Sequence, residues 1–114
     1  MDPIAPERRR VVNLANGEFV PLLNESGRED GKVLQVNPRK KLGFGFHIYR
    51  MEAGHATTPH EHEGDEEFLV LEGEIVDHDG HRYGKGDLVW LEAGTMHNSY
   101  TPEGALLAVY YRGP

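Results

Sequence analysis

Short apolar stretches with an alternating pattern predict strands along most of the chain. Within 42–51, for example, Phe44, Phe46 and Ile48 fall on one face at a period of two residues. Helices are disfavoured because the longest interval free of glycine and proline is 7–16, whereas a mean helix needs about 11–12 residues. The other predicted strands, rich in leucine, β-branched or aromatic residues, are 33–36, 67–71, 74–78, 81–83, 87–91, 97–100 and 105–111.

Turn signals separate these segments at short intervals, which indicates an all-β sandwich or small barrel. The Asp79-Gly80 pair between 74–78 and 81–83 predicts a hairpin with a two-residue turn, a geometry that requires positive φ. Residues 31–114 form the predicted barrel. Residues 1–30 have a weaker pattern and are expected to be an N-terminal arm or edge segment that packs on the barrel.

Length and composition narrow the class of protein. The chain has 114 residues, which suits one domain. Its net charge of −7 argues against a nucleic-acid or anionic-membrane partner. The absence of cysteine excludes disulfides, thiolate metal sites and thiol catalysis, and it fits a cytoplasmic protein. No stretch approaches 18 apolar residues and the N-terminus has no apolar run, so we expect neither a membrane span nor a signal peptide.

The negative charge is concentrated in residues 60–67, which hold five carboxylates, two imidazoles and no lysine or arginine. On a strand His60 and His62 point the same way, and the turn that follows would bring Glu66 back beside them. Carboxylates that face a barrel interior need a cation or a proton, and imidazole with carboxylate suits Zn, Mn, Fe, Ni or Cu. His97 is the natural further ligand. Exposed histidines on a polar turn are the alternative that the residues alone leave open.

Two spaced motifs resemble those of the cupin superfamily. The first is Gly54, five residues, His60-x-His62, three residues, Glu66, six residues and Gly73. The second is Gly86, five residues, Glu92-x-Gly94, two residues, His97, three residues and Thr101. The second departs from the family pattern twice, because Glu92 stands where proline is common and Thr101 where asparagine is common. Neither position is a metal ligand in the family.

The resemblance implies a double-stranded β-helix, the jelly-roll barrel of cupins, with one divalent metal ion held by His60, His62, Glu66 and His97. Fe, Mn, Zn or Ni would suit these ligands, and Fe(II) is preferred. Periodicity leaves open whether Glu66 or Glu67 points inward. The family pattern selects Glu66, so Glu67 is expected to point outward.

Within the superfamily the chain is most similar to small single-domain bacterial cupins. That group includes dioxygenases that cleave carbon–carbon bonds of diketones or hydroxylated aryl ketones, and the zinc-binding cupin domain of ChrR-type anti-sigma factors. The resemblance therefore implies a metal-dependent dioxygenase or related oxidoreductase with a small oxygenated substrate. Two alternatives stay open: a redox-neutral isomerase, lyase or decarboxylase that uses the metal as a Lewis acid, and a non-catalytic metal- or ligand-sensing domain.

The other histidines have simpler expected positions. His78 and His81 flank the predicted turn and should be exposed, and His55 lies in a loop. His47 and Tyr49 alternate with the face of the phenylalanines, which leaves a choice between the surface and a pocket. A catalytic acid or base is not identifiable from the sequence.

The remaining large side chains predict the core and an interface. Residues expected in the core are Met51, Phe68, Trp90 and Tyr110. Strand 67–71 carries apolar residues on both faces, Phe68 and Val70 on one and Leu69 and Leu71 on the other, and both faces need cover. We therefore expect a homodimer, the commonest assembly.

Overall fold

The computed structural model describes residues 1–113 and confirms the all-β fold. Within that range the strands are β1 (Val20–Leu23), β2 (Glu29–Leu34), β3 (Gly45–Met51), β4 (His60–Glu61), β5 (Glu66–Asp77), β6 (Arg82–Gly84), β7 (Leu88–Leu91), β8 (Met96–His97), β9 (Ser99–Tyr100) and β10 (Ala105–Tyr111). The only helical segment of residues 1–113 is a 3₁₀ turn at Pro6–Arg8. No helix in the described part of the chain has the length and apolarity needed to cross a bilayer.

The strands form one large antiparallel sheet and a separate pair. The order in the large sheet is β1-β2-β3-β10-β5-β6, and β7 and β9 also pair with β5. The first half of β5 pairs with β7 and β10, and its second half pairs with β6 and β9. Because one strand belongs to both halves of the structure, the sheet curls into an open barrel. The short strands β4 and β8 pair with each other.

The predicted strands 67–71 and 74–78 are one continuous strand, β5. Gly73 was expected to separate them, but it is accommodated inside the strand with φ +79°. Gly73 pairs with Ala105, and the register between β10 and β5 shifts just beyond this pair, between Leu106, the partner of Glu72, and Leu107, the partner of Val70. Glycine there marks an irregularity within a strand rather than its end.

Other boundaries also differ from the predictions. The predicted strand 97–100 is divided into β8 and β9, and β1 was not predicted. The hairpin of β5 and β6 is confirmed, but its turn is not the predicted one, because only Gly80 has positive φ. The amide of Gly80 donates to the carbonyl of Asp77, and the amide of Asp77 to the carbonyl of His81. This is a three-residue loop with glycine in the left-handed position.

The core lies on the concave side of the curled sheet. Its buried members are Met51, Phe68, Val70, Ile75, Tyr83, Ala105, Leu107 and Val109. The prediction is therefore correct for Met51 and Phe68 and wrong for Trp90 and Tyr110, which are 56% and 48% exposed. Both lie on the convex face, because Glu67 pairs with Trp90 on one side and Tyr110 on the other, and Glu67 is also exposed.

The inward face of β3 carries the polar residues of that strand. His47 is buried and Tyr49 is half-buried, whereas Phe46 is 64% exposed. The choice left open for His47 and Tyr49 is therefore resolved in favour of the interior. The phenylalanine of the alternating pattern faces outward instead, which leaves an apolar convex surface.

Replacing Gly73 with alanine is expected to destabilise the fold by more than about 3 kcal/mol. At φ +79° a Cβ is strained, and here it would also overlap the carbonyl oxygen of Gly104 in the adjacent turn. Gly80→Ala is the matched control, because its φ is +87° but nothing lies within 4 Å of its Cβ position. Gly80→Ala should cost only about 1–2 kcal/mol. Urea unfolding measures both, and equal losses would contradict the steric explanation.

Candidate metal centre

Three histidines converge at the separate strand pair β4–β8 and the turn before β8. His60 and His97 are direct cross-strand partners. His62 follows two residues after His60 on the same side, and its backbone is tied to the 92–95 turn by bonds from His62 N–H to the Thr95 carbonyl and from Gly94 N–H to the His62 carbonyl. The spacing of two residues therefore brings both imidazoles to one point, and the second motif supplies the third.

One ring nitrogen from each of His60, His62 and His97 lies within 4.8 Å of the other two. The ring centroids are 4.6–5.1 Å apart. Nε2 of His62 is buried and has no hydrogen-bond partner. A buried polar atom without a partner is costly, and three imidazoles that share one centre give it an obvious partner in a metal ion.

The Nδ1 atoms of His60 and His62 each lie beside a hydrogen-bonding group. Nε2 is therefore the ring nitrogen that is available to a metal ion. Nδ1 of His60 donates to the carbonyl oxygen of Thr58 at 2.9 Å. Nδ1 of His62 lies 3.4 Å from Oγ1 of Thr95, whose own hydroxyl donates to the Glu92 carbonyl and can therefore accept. A hydrogen bond at the second ring nitrogen fixes the tautomer and the orientation of a metal-binding histidine.

His97 has a stronger partner in Asp77, at the end of β5. Nδ1 of His97 lies 3.2 Å from Oδ1 of Asp77. That carboxylate also accepts hydrogen bonds from Oγ of Ser99 at 2.6 Å and from the hydroxyl of Tyr83 at 2.7 Å. Burial alone would raise the pKa of Asp77, but the bonds from His97, Ser99 and Tyr83 outweigh it and lower the pKa, so the carboxylate is held ionised.

Glu66 lies beside the cluster rather than within it. Its Oε1 is 3.7 Å from Nε2 of His62 and its side chain is 19% exposed, whereas Glu67 is on the outer surface. Burial raises the pKa of Glu66 to about 7. Burial, with the neighbouring His97 and His60, lowers the pKa of His62 to about 4. These directions favour a neutral carboxyl and a neutral imidazole when no cation compensates them.

The residues present fit a divalent metal ion. Of the ligand-type side chains in residues 1–113, the three imidazoles form a group that could hold an ion, and the Glu66 carboxylate lies next to one of them, His62. Burial lowers the pKa of both His60 and His62, and neutral imidazole is the form that binds metal. His78 and His81 are exposed, as predicted, and stay outside the cluster.

The sequence interpretation missed the groups that orient the imidazoles. Thr58 and Thr95 are near the histidines in sequence, and a hydroxyl or carbonyl two residues away is a weak signal. Asp77 is separated from His97 by twenty residues and comes together with it because β5 pairs with β9. The only sequence signal for the role of Asp77 is its position next to the Asp79-Gly80 turn.

The two departures from the second cupin motif have local structural roles. Glu92 is exposed, and its carbonyl accepts from the amide of Thr95, so the turn forms without proline. Thr101 is fully buried, its hydroxyl donating to the carbonyl of Glu74 at 2.8 Å and accepting from the amide of Gly104 at 3.0 Å. A threonine hydroxyl therefore satisfies the backbone at the position where asparagine is common.

Comparison with known families gives one match that covers nearly the whole chain. A model of the ChrR cupin-like domain matches residues 7–114. No curated protein sequence matches the chain significantly.

Solved structures with the same fold include proteins of different activities. The anti-sigma ChrR of Rhodobacter sphaeroides, in its complex with SigE, is 20% identical with a TM-score of 0.63. That alignment covers 85% of this chain and 50% of the ChrR chain, so the chain spans about half of it. An acetylacetone dioxygenase from Acinetobacter johnsonii is 18% identical, with 100% of this chain and 79% of that chain covered and a TM-score of 0.68. The polyketide cyclase RemF from Streptomyces resistomycificus is 21% identical over 89% of this chain and 78% of that chain, also with a TM-score of 0.68. At these identities the likeness shows the fold.

Proposed function

The chain belongs to the ChrR cupin-like domain family, and on that premise we propose that it is a metal-dependent dioxygenase of a small ketone. Its ligands would be His60, His62, Glu66 and His97, around one Fe(II) ion. The substrate would be a diketone or a hydroxylated ketone that can enolise. The convergence of three imidazoles, each oriented through its Nδ1, is the observation that carries the proposal.

The charge and number of these ligands suit an oxygen-dependent reaction. Three neutral imidazoles and one carboxylate would give a site with a divalent ion a net charge of +1, and these four ligands would not fill the coordination that Fe(II) commonly has. When bound, Fe(II) supplies redox chemistry with O₂ and electrostatic stabilisation of an enolised ketone. Glu66 must lose its proton to become a ligand, and its raised pKa means that this proton leaves near neutral pH.

The neighbouring polar residues have limited roles in proton transfer. The hydroxyl of Tyr49 donates to the backbone carbonyl of Asp30, and burial, with Asp30 and Glu66 nearby, raises its pKa. Tyr49 is therefore a positioning residue of the barrel wall and not a base. His47 is buried, with Nδ1 bonded to the carbonyl of Gly45 at 3.1 Å, and burial lowers its pKa, so it is a neutral imidazole that can accept a proton.

A metal-sensing or ligand-sensing domain is the second candidate, and the family match favours it. The matching family is named for ChrR, which is an anti-sigma factor in the structure with SigE. A sensing domain would hold its metal without turnover. The same four ligands would serve, which is why only activity can separate the two proposals.

Oxygen consumption by the reconstituted protein tests the proposal. The protein is purified without oxygen, stripped of metal, and loaded separately with Fe(II), Mn(II), Ni(II) or Zn(II), with the loading measured by elemental analysis. We expect substrate-dependent O₂ uptake with the Fe(II) form and a panel of β-diketones and hydroxylated aryl ketones, and none with the Zn(II) form. Mass spectrometry of the products should show carbon–carbon cleavage.

Two controls make the outcome decisive. His78→Ala removes an exposed histidine outside the cluster and should leave O₂ uptake unchanged. A fully loaded Fe(II) protein that consumes no oxygen with any substrate would overturn the dioxygenase proposal. Tight one-to-one binding of Zn(II) under the same conditions would then favour the sensing domain.

A further inference from the structure

Strand β3 continues past the end of β2, and this leaves one of its edges open. β2 pairs with β3 only as far as Leu34, which lies opposite Ile48. Residues 45–47 pair with β10 on the other side, and no strand of the described chain covers them on the side of β2. An open strand edge presents backbone N–H and C=O groups with which another extended chain can pair.

The hydrogen bonds of Gln35 fold the chain after β2 into a loop. Its side-chain amide donates to the carbonyls of Lys40 and Lys41, at 3.3 Å and 3.1 Å. Its side-chain oxygen accepts from the amide of Gly43 at 2.9 Å. The chain that follows β2 is therefore held in its own loop and does not extend the sheet along the rest of β3.

A groove of about 900 Å³, which we call the β3 groove, lies along this open edge. Its walls come from the N-terminal segment 7–14 and from the loop 36–40, and the consecutive residues 45–48 of β3 also line it. Successive side chains of a strand point to opposite faces, so a groove that is lined by consecutive residues borders the edge of the strand and not one face alone. Its volume is within the range of about 300–1,000 Å³ that is usual for binding clefts.

Positive charge is concentrated on both walls of the β3 groove. The cationic residues that line it are Arg8, Arg9 and Arg10 on the N-terminal segment and Arg39 and Lys40 on the loop. Glu7 is the one carboxylate among the lining residues. Within residues 1–113 none of the five cations has a carboxylate within 4.0 Å, although the chain as a whole has a net charge of −7. A cleft lined by one sign of charge concentrates its field on a ligand of the opposite sign.

The β3 groove also offers apolar contacts beside these cations. Phe46 and Tyr110 are cross-strand partners that line it, and they are 64% and 48% exposed. Val12 and Leu14 line it from the N-terminal segment and are 45% and 42% exposed. A small phosphate anion would use the cations and leave both the strand edge and the apolar side chains without a partner. An extended peptide with acidic and apolar side chains would use all three.

We propose that the β3 groove binds an extended acidic peptide of a partner protein, which adds as a strand to the open edge of β3. The carboxylates of the peptide pair with the cations of the two walls, and its apolar side chains contact Phe46 and Tyr110. In this mode of recognition main-chain hydrogen bonds give affinity and the side chains give specificity. The proposal does not depend on the metal or on the proposed reaction, because no histidine of the candidate metal centre lines the groove.

Fluorescence anisotropy with short labelled peptides and the full chain tests the proposal. A peptide that alternates aspartate with valine should bind in a one-to-one complex whose affinity falls as salt is added, and a peptide that alternates lysine with valine should not bind. Two further acidic peptides are methylated at alternate backbone nitrogens, one at the valines and one at the aspartates. Only one edge of an added strand faces β3, so one of these two should lose at least about tenfold in affinity and the other should keep it.

Charge reversal on each wall locates the peptide in the groove. Arg9→Glu and Arg39→Glu should each raise the dissociation constant of the acidic peptide at least about fivefold at low salt. Lys85→Glu is the matched control, because it makes the same change of charge at an exposed position between β6 and β7, outside the groove. It should leave the dissociation constant unchanged. In ¹⁵N spectra the peptide should shift the backbone amides of residues 45–48.

Other occupants of the groove would give different results. Displacement of the peptide by tripolyphosphate at an equal concentration would show a general anion site and overturn the peptide proposal. An apparent affinity that falls as the protein concentration rises would show that a second copy occupies the groove, and would also overturn it. Equal affinity of both methylated peptides with the parent peptide would overturn strand addition. Equal weakening by Arg39→Glu and Lys85→Glu, or no binding of the acidic peptide at about 1 mM, would overturn the site itself.

Discussion

Replacing His62 with alanine is expected to reduce metal affinity more than about 100-fold, because loss of an outer partner of a ligand alone costs about 10–100-fold. Among the three candidate ligands, His62 is the one whose removal disturbs the hydrogen bonds of the apoprotein least, because its buried Nε2 has no partner and its Nδ1 has only a contact of 3.4 Å. Its imidazole is also the most buried of the three, at 2% exposure, and is surrounded by the other two rings. The variant should therefore lose metal and keep its fold.

Thermal unfolding with and without metal measures this loss. A ligand at 100 times its dissociation constant stabilises the folded state by about 2.7 kcal/mol, which raises the melting temperature of a domain of this size by roughly 10 °C. The wild-type protein and the control His78→Ala should both show that rise, and His62→Ala should show none. A normal metal-dependent rise in His62→Ala would contradict the three-histidine site. Circular dichroism of the apoprotein checks that all three proteins are folded.

The convergence of His60 and His62 was predictable because their spacing is a local property of strands. His60 and His62 share a side of β4 at a period of two residues, and this holds however the rest of the chain folds. His97 was a candidate from the residues alone, but nothing in their spacing brings it to His60 and His62. The resemblance to cupins supported the choice, because the two motifs imply that β4 and β8 are neighbours, as they are here.

The convex face shows why two of the four predicted core residues were wrong. Trp90 and Tyr110 look like core residues because they are large and aromatic, but an alternating pattern does not say which face is concave. The inner side of β3 instead carries His47 and Tyr49, which line the polar part of the barrel. The inner face of β3 is therefore more polar than its outer face, the reverse of what the alternating pattern suggests for a core strand.

The partners of the imidazoles depend on tertiary structure, and the sequence does not display them. Asp77 reads as a turn residue, one of several acidic side chains near Gly80. Its hydrogen bonds to His97, Ser99 and Tyr83 arise because the long strand β5 pairs with both β6 and β9 at its end. Asp77 is only 7% exposed, and its three hydrogen-bond donors hold the carboxylate in place beside His97.

Replacing Asp77 with asparagine is therefore expected to lower metal affinity about 10–100-fold while the fold is retained. The amide oxygen of asparagine can still accept from Nδ1 of His97 and from Ser99, so the geometry is conserved. The negative charge that favours electron density on Nε2 of His97 is lost. Burial by itself would lower the pKa of His97, but the hydrogen bond to Asp77 has the larger combined effect with the charge of that carboxylate, and the pKa is raised. The Asp77→Asn variant should therefore have a less basic His97.

Asp79→Asn is the matched control for this variant. Asp79 is exposed and lies two residues away, and its Oδ1 accepts from the amide of His81, a bond that asparagine also makes. Both variants change the net charge by one, but only Asp77→Asn changes the partner of a ligand. Competition titration with a chelator measures the affinities, and ¹⁵N spectra of the histidine side chains report the His97 tautomer, which should have its proton on Nδ1 in the wild-type apoprotein.

Tyr83→Phe tests the hydrogen-bond partner of Asp77, which is one residue further from the candidate metal centre than Asp77 itself. It removes the hydrogen bond of 2.7 Å to Oδ2 of Asp77 and leaves the carboxylate charge in place. Its loss of affinity should be smaller than that of Asp77→Asn, and the His97 tautomer should be unchanged.

Equal losses of metal affinity in Asp77→Asn and Asp79→Asn would show that the effect is one of net charge. Unaltered affinity and tautomer in Asp77→Asn would show that Asp77 only stabilises the turn. A graded loss would mean that the strength of the His97 ligand is set by residues on β5 and β6, outside both cupin motifs.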